Sequence, residues 1–149
     1  MSYEFQDPKG LDAATLEEGT VFAPRFDTAG LITVVTTEAK TDVLLMVAHM
    51  NAQALALTLD TGVVHYYSRS RGKIWKKGET SGELQRLVEM RTDCDQDVLH
   101  LTVRQTGRGA ACHTGRKSCF FRRVEKAGDE IVLVDAGEAR LFDPSEVYD

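Results

Sequence analysis

Two short runs of β-branched and aliphatic residues constrain the fold of this chain more than any other feature. Residues 31–37 read LITVVTT and residues 43–49 read VLLMVAH, and the polar residues 38–42 separate them. Residues of these types favour the pleated, half-buried surface of a sheet, and the polar spacer is short enough for a turn. The pattern predicts a β-hairpin.

One helix is clearly marked after this hairpin. Asn51 can cap its first turn, leucines lie among alanines over about residues 51–60, and Gly62 supplies a stop. Residues 1–20 have little sustained apolar period, and Gly72 and Gly78 bracket the basic stretch around Trp75. The pattern predicts loose structure for the first segment and a loop for the second.

The remaining apolar segments favour strands. Residues 63–68 and 131–134 have strand composition, and residues 98–103 alternate apolar and polar side chains. Residues 84–91 fit either a helical face or a strand, and we assign them to a strand. Glycine-rich residues 107–115 predict a loop that delivers a short strand at 119–121. The predicted fold is α+β, strand-rich with one main helix, and its mixed sheets have a strand order that the sequence does not determine.

The size and composition of the chain fit one domain spanning residues 1–149. Of its 149 residues, 42% are hydrophobic, and the longest apolar run, residues 43–48, is too short to cross a bilayer. No basic leader precedes an apolar stretch, so we expect a soluble, unprocessed protein. Its three cysteines cannot all pair within one chain, which favours free or metal-bound thiols in a reducing cytoplasm.

Charge is segregated along the chain. The net charge of -5 argues against a general nucleic-acid binder. Residues 69–77 nevertheless carry five basic side chains and no acid, and residues 98–124 carry six and no acid. Such segments can create a local positive field that attracts a small anionic ligand, or they can be two solvated loops. Both interpretations remain open at this point.

Residues 93–97 read DCDQD and suggest a cation site. If this stretch is extended, Asp93, Asp95 and Asp97 share one face while Cys94 points to the other. Clustered carboxylates suit Mg²⁺, and a thiolate suits Zn²⁺. A calcium loop of the EF-hand type is excluded because its sixth and twelfth positions would be Val98 and Arg104 rather than Gly and Glu. The alternative is an acidic turn that caps nearby amides.

Cys112 and Cys119 lie seven residues apart, a wider spacing than in most structural zinc knuckles. Either could be a buried hydrophobe instead of a ligand. Together with Cys94 they make three thiols, and a catalytic zinc site typically has three protein ligands and one position open to water. Zinc lowers the pKa of such a water, so this set favours hydrolysis.

Four motifs occur in an order that resembles the phosphoribosyl-AMP cyclohydrolase family. They are MNAQAL at 50–55, SRSRGKIWKKGETSG at 68–82, DCDQD at 93–97 and ACHTGRKSC at 111–119. The resemblance implies hydrolytic opening of the adenine ring, at the N1–C6 bond of 1-(5-phosphoribosyl)-AMP, during histidine biosynthesis. It implies a zinc-activated water, assisted by Mg²⁺, in a homodimer. From composition, charge and the short apolar runs we expect a cytoplasmic protein that binds no nucleic acid and no membrane.

The resemblance also implies roles for individual residues. Zinc, one per subunit and shared across the dimer, is assigned to Cys94 of one subunit and to Cys112 and Cys119 of the other. One Mg²⁺ per subunit is assigned to Asp93, Asp95 and Asp97. We consider His113 the first candidate for proton transfer, since it adjoins a ligand, and Glu79 the second. The candidates for substrate and phosphate binding are Ser68, Arg69, Ser70, Arg71, Lys73, Trp75, Lys76, Lys77, Gly78 and Ser81.

Two positions depart from the family pattern, and two other functions compete. His49 stands where an aromatic residue is frequent, and Glu83 stands where His or Asn is common. The motif-bearing core spans about residues 31–123, and no fused pyrophosphohydrolase domain is expected after it. A zinc-dependent nucleotide deaminase would need H-x-E and P-C-x-x-C signatures, which this sequence lacks. The other alternative is a non-enzymatic, zinc-stabilised dimer.

Overall fold

The structure is a computed structural model that describes residues 4–148, and the predicted α+β class is confirmed. The helices are α1 (Ala13–Glu18) and α2 (Ala52–Thr61). The strands are β1 (Ile32–Glu38), β2 (Leu44–Met50), β3 (His65–Ser68), β4 (Lys73–Lys76), β5 (Gln85–Thr92), β6 (Val98–Gln105), β7 (Arg122–Ala127) and β8 (Glu130–Asp135). Two 3₁₀ turns lie at Pro8–Gly10 and Pro144–Glu146.

A four-stranded sheet in the order β2-β1-β6-β5 forms the centre of the fold. Strand β1 pairs antiparallel with β2, opposing Val34 and Ala48, which confirms the predicted hairpin. Strand β1 also pairs in parallel with β6, opposing Val34 and Leu99, and β5 pairs antiparallel with β6. The sheet is therefore mixed, as expected. Strands β3 and β4 form one further antiparallel pair, and β7 and β8 form another.

The core follows from the alternation of side chains in β1 and β6. The inward residues of β1 and β6 are buried, namely Ile32, Val34, Thr36, Leu99, Leu101 and Val103. Leu55 of α2 and Tyr66 of β3 belong to the same cluster. The Tyr66 hydroxyl lies 2.8 Å from Thr36 Oγ1 and donates to Gln85 Oε1 at 2.6 Å. This hydrogen bonding satisfies a phenol that is wholly removed from water.

Helix α2 begins and ends where the sequence predicts. Asn51 Oδ1 accepts a hydrogen bond from the Ala54 amide at 2.8 Å, which is the expected N-cap contact. Gly62 ends the helix with φ +72°, a left-handed conformation that glycine adopts without strain. The predicted main helix is confirmed.

Two expectations of irregular structure are wrong. Of the first twenty residues, 1–3 lie outside the described residues. The rest include helix α1, whose first turn is capped because the Asp12 carboxylate accepts a hydrogen bond from the Thr15 amide at 2.8 Å. The stretch around Trp75 is strand β4 and not a loop, because it pairs with β3 in register, opposing Trp75 and Tyr66. The strand expected at residues 119–121 begins only at Arg122. In the described residues, no helix is long and apolar enough to cross a bilayer.

Candidate active site

A cleft of about 460 Å³ lies where β2, the end of β4 and the glycine-rich loop meet. It is lined by Met46, Val47, Ala48, Arg71, Trp75, Lys76, Lys77, Gly78, Glu79, Thr80, Ser81, Ala111, His113, Cys119 and Tyr148. Apolar walls with a few convergent charged and polar groups are typical of small-molecule sites.

The cleft gathers many of the site residues predicted from the sequence, and leaves others outside. Both candidates for proton transfer, His113 and Glu79, line it, together with Cys119. Of the predicted substrate-binding set, the lining contains Arg71, Trp75, Lys76, Lys77, Gly78 and Ser81. Ser68, Arg69, Ser70 and Lys73 do not line it, and belong to β3, its turn and β4.

The thiol loop, residues 106–121, brings Cys112 and Cys119 together. The Cys112 amide donates to the Arg116 carbonyl at 3.1 Å, which folds the loop back on itself. The Cys119 amide donates to the Leu45 carbonyl at 2.8 Å and so fixes this end of the loop to β2. Gly115 makes the return possible, because its φ is +91° and an added Cβ would lie 2.2 Å from the Phe142 carbonyl oxygen.

The two thiols share a hydrogen bond, and this contact separates their proton affinities. The hydrogen bond with Cys119, assisted by one from Thr114 at 3.1 Å, lowers the pKa of Cys112 to about 5. The same contact, with burial, raises the pKa of Cys119. A thiolate held beside a second thiol is a donor set that suits a soft cation such as Zn²⁺. The residues present therefore fit two of three expected zinc ligands.

Cys94 lies in a different place. It is exposed and lines a cavity of about 290 Å³ with Leu16, Glu17 and Phe22, not the cleft of Cys119. Among residues 4–148, three possible metal donors converge only at the aspartates, so the three thiols do not meet within one chain.

Residues 93–97 form a turn between β5 and β6, and the extended geometry considered for them is wrong. Gln96 has φ +60°, and Asp93 Oδ1 accepts from the amides of Asp97 and Val98 at 3.0 and 3.1 Å. Asp93, Asp95 and Asp97 still converge, with carboxylate oxygens within 4.8 Å of one another. The hydrogen bond with Asp93, then that with Asp95, raises the pKa of Asp97 to about 6. Three crowded carboxylates fit a hard divalent cation such as Mg²⁺.

Gln96 ties this turn to the beginning of the chain. Its Oε1 accepts from the Ala23 amide at 2.8 Å, and its Nε2 donates to the carbonyls of Leu16 and Val21 at 2.9 and 3.1 Å. The Arg25 amide donates to the Gln96 carbonyl at 2.7 Å. The side chain is buried, so these contacts fix the position of the aspartate turn relative to α1.

Lys77 lies at the base of the cleft and is largely withdrawn from water. It is 6% exposed, its ammonium donates to the Ala111 carbonyl, and it lies 5.6 Å from the Trp75 ring centroid. Burial lowers its pKa, although the nearby Cys119 and Cys112 favour the charged form. The ring centroids of Trp75 and Tyr66 lie 5.2 Å apart, so Trp75 packs as a core aromatic side chain does.

Several lining residues and one buried carboxylate are missing from the sequence-based set. Val47, Ala48 and Tyr148 line the cleft without a chemical signal in the sequence. Glu83 is 1% exposed and accepts hydrogen bonds from the thiol loop. In the sequence it was singled out only as a departure from the expected family pattern. Long-range contacts of this kind follow from the fold alone.

Comparisons with known proteins identify the family of this chain. The phosphoribosyl-AMP cyclohydrolase family model matches residues 46–121. A protein of Mesorhizobium japonicum named phosphoribosyl-AMP cyclohydrolase is 62% identical over 137 residues, covering 92% of this chain and 90% of that protein. A Rhizobium etli protein of the same name is 54% identical over 148 residues, covering 99% of both chains. The chain belongs to the phosphoribosyl-AMP cyclohydrolase family, a family of hydrolases.

Proposed function

We propose that this protein hydrolyses 1-(5-phosphoribosyl)-AMP in histidine biosynthesis, opening the adenine ring between N1 and C6. The observation that carries the proposal is a single cleft in which Cys119 meets His113 and Glu79, with Arg71 and Lys76 at its wall. Membership of the family supports the substrate. We further propose that the protein acts as a cytoplasmic homodimer.

The thiols are proposed to hold zinc across the dimer. Cys112 and Cys119 supply two donors from one subunit, and Cys94 of the partner subunit supplies the third. The separation of Cys94 from the thiol pair within one chain supports this division. When bound in such a site, zinc lowers the pKa of water towards neutrality and so provides a nucleophile at cellular pH.

Proton transfer is assigned to residues of the cleft. Addition of water at C6 and cleavage of the N1–C6 bond require one proton to leave the water and one to reach N1. His113 is exposed in the cleft wall and can hold this proton, since an imidazole nitrogen can both accept and donate one. Glu79, on the same wall, is the second candidate.

The charged walls are proposed to bind the two phosphate ends of the substrate. Arg71 offers planar, bidentate donors and Lys76 a point charge, and both are exposed at the cleft. Asp93, Asp95 and Asp97 are proposed to hold Mg²⁺, because their mutual repulsion is relieved by a divalent cation.

The activity is tested by incubating the purified protein with phosphoribosyl-AMP, Zn²⁺ and Mg²⁺ and following the absorbance change of ring opening. We expect turnover by the wild type and none by Cys112→Ala. Ser145→Ala, a change in the exposed 3₁₀ turn near the end of the chain, is a matched control that keeps full activity. Absence of turnover in a wild-type protein that binds zinc would contradict the proposal.

Shared ligation is tested by mixing two inactive variants. Cys94→Ala and Cys112→Ala subunits, once exchanged, form heterodimers in which one of the two sites has all its thiols. We expect activity to return towards a quarter of that of the wild type, since half of the dimers are mixed and each has one complete site. Confirmed subunit exchange without any return of activity would contradict ligation across the dimer.

A further inference from the structure

A buried carboxylate, that of Glu83, binds residues 108–110, which lie shortly before Cys112. Glu83 Oε1 accepts from the Arg108 amide at 3.0 Å and from Arg108 Nε at 3.1 Å. Its Oε2 accepts from the amides of Gly109 and Ala110 at 3.0 and 3.3 Å. Three successive backbone amides thus point at one carboxylate that is 1% exposed. Charge-assisted hydrogen bonds of this kind are stronger than neutral ones and hold their partners in a fixed geometry.

Lys77 completes the set of contacts from the other side. Its ammonium donates to the carbonyl of Ala111, the next residue along the loop. Together, the two side chains bind every residue from 108 to 111, and Cys112 follows directly. The two charges themselves come from one short segment, residues 77–83, which folds back through a Gly82 amide to Gly78 carbonyl hydrogen bond of 2.8 Å.

Two glycines allow this close approach. An added Cβ on Gly107 would lie 2.6 Å from Glu83 Oε2, and one on Gly78 would lie 2.4 Å from the Glu83 carbonyl carbon. Their φ values are +67° and +87°, so each also needs a conformation that other residues rarely adopt. The segment around Glu83 therefore fits closely against the thiol loop.

We propose that Glu83 and Lys77 are positioning residues that fix the backbone of residues 108–111 and thereby hold the Cys112 thiol beside Cys119. The role of this thiol as a metal ligand rests on the proposed function, whereas the placement of the thiol does not. Lys77, assigned from the sequence to phosphate binding, acts instead through the Ala111 carbonyl.

The first experiment measures the reactivity of Cys112 in the full chain after removal of metal by a chelator. Alkylation by iodoacetamide is followed by peptide mass spectrometry, and the rate at Cys112 in each variant is expressed as a ratio to the rate in the wild type. Glu83→Gln replaces an acceptor oxygen with an amide donor that faces backbone N–H groups, and Lys77→Met removes the donor but keeps the apolar stem. We expect both to raise this ratio severalfold.

Matched variants separate this effect from a general loss of stability. Glu89→Gln and Lys126→Met change exposed side chains of the same types and leave the ratio unchanged. Val34→Ala destabilises the core at a residue of β1, outside the loop itself. Below the unfolding transition in urea, local opening gives a Cys112 rate that does not depend on urea, whereas global unfolding gives a rate that rises with urea. A Glu83→Gln protein with the wild-type rate, or one whose rate follows urea as in Val34→Ala, overturns the proposal.

The second experiment uses the zinc-loaded protein and a colorimetric chelator. We expect Glu83→Gln and Lys77→Met to weaken zinc binding by about 10-fold and to lower kcat with little change in KM, because they act on ligand placement. If the wild type turns over no substrate, the proposed function fails, yet the alkylation ratio still tests the placement of Cys112. Unaltered zinc affinity in both variants, in folded protein, overturns the positioning role.

Discussion

Replacing Gly115 with alanine tests whether the end of the chain is packed against the thiol loop. Gly115 has φ +91°, and an added Cβ would lie 2.2 Å from the Phe142 carbonyl oxygen. Gly137 is a matched control, because its φ is +90° and nothing lies within 4 Å of an added Cβ. The two substitutions share the same backbone strain and differ in the steric contact alone.

The expected cost follows from these two terms. Placing an L-residue in a left-handed conformation costs about 1–2 kcal/mol, and a small gain from the less flexible unfolded chain offsets part of it. Gly137→Ala should therefore destabilise the protein by about 1 kcal/mol. In Gly115→Ala the tail must also move, which breaks the 2.6 Å hydrogen bond from the Leu141 amide to the Gly115 carbonyl and loosens the buried Phe142 ring. We expect a total loss of about 3–4 kcal/mol.

Urea unfolding measures this difference directly. Trp75 is the single tryptophan of the chain and packs against the core, so its fluorescence reports unfolding. In both variants the free energy of unfolding should fall with urea concentration at the wild-type slope, while the unfolding midpoints fall by unequal amounts. A Gly115→Ala protein within about 0.5 kcal/mol of Gly137→Ala would refute the packing of the tail against this loop.

Three further predictions concern single side chains. Tyr66→Phe should lower the free energy of unfolding by about 1–2 kcal/mol, since its buried hydrogen-bond partners lose the hydroxyl, and Tyr67→Phe should cost less in the same urea titration. Burial raises the pKa of Glu38, but hydrogen bonds from Lys117 and Thr41 outweigh it, so the net pKa is lowered. The stability that this carboxylate contributes is present above its ordinary pKa and is lost as the pH falls. The melting temperature of Glu38→Gln should therefore fall less on acidification than that of the wild type. Mg²⁺ should raise the melting temperature of the wild type more than that of Asp95→Asn, because one of three converging carboxylates is then neutral; equal shifts would contradict a cation site there.

Two features with strong local signals were predicted correctly from the sequence. Helix α2 carries its own cap at Asn51 and its stop at Gly62, and the β1–β2 hairpin follows from two aliphatic runs and a short spacer. These signals act between residues a few positions apart, so no knowledge of the fold is needed to interpret them.

Features that depend on distant partners could not be predicted in this way. Alternation at residues 93–97 assumes an extended backbone, whereas Asp93 bends the segment by accepting from amides four and five residues on. Helix α1 is held in place by Gln96, which donates to the carbonyl of Leu16, 80 residues away in sequence. The environment of Glu83 likewise exists only once residues 108–110 fold against it.

The parallel pairing of β1 with β6 has a consequence for the order in which the chain folds. Thr33 opposes Val98, so everything from the first hairpin to β5 lies inside the chain segment that this pairing closes. Closing a segment of this length costs entropy before any contact across it can compensate, and such non-local pairing slows folding. The hairpin and α2 can form early from local contacts. The thiol loop follows β6 directly, so its attachment to β2 through Cys119 is expected among the last steps, after the slowest barrier has been crossed.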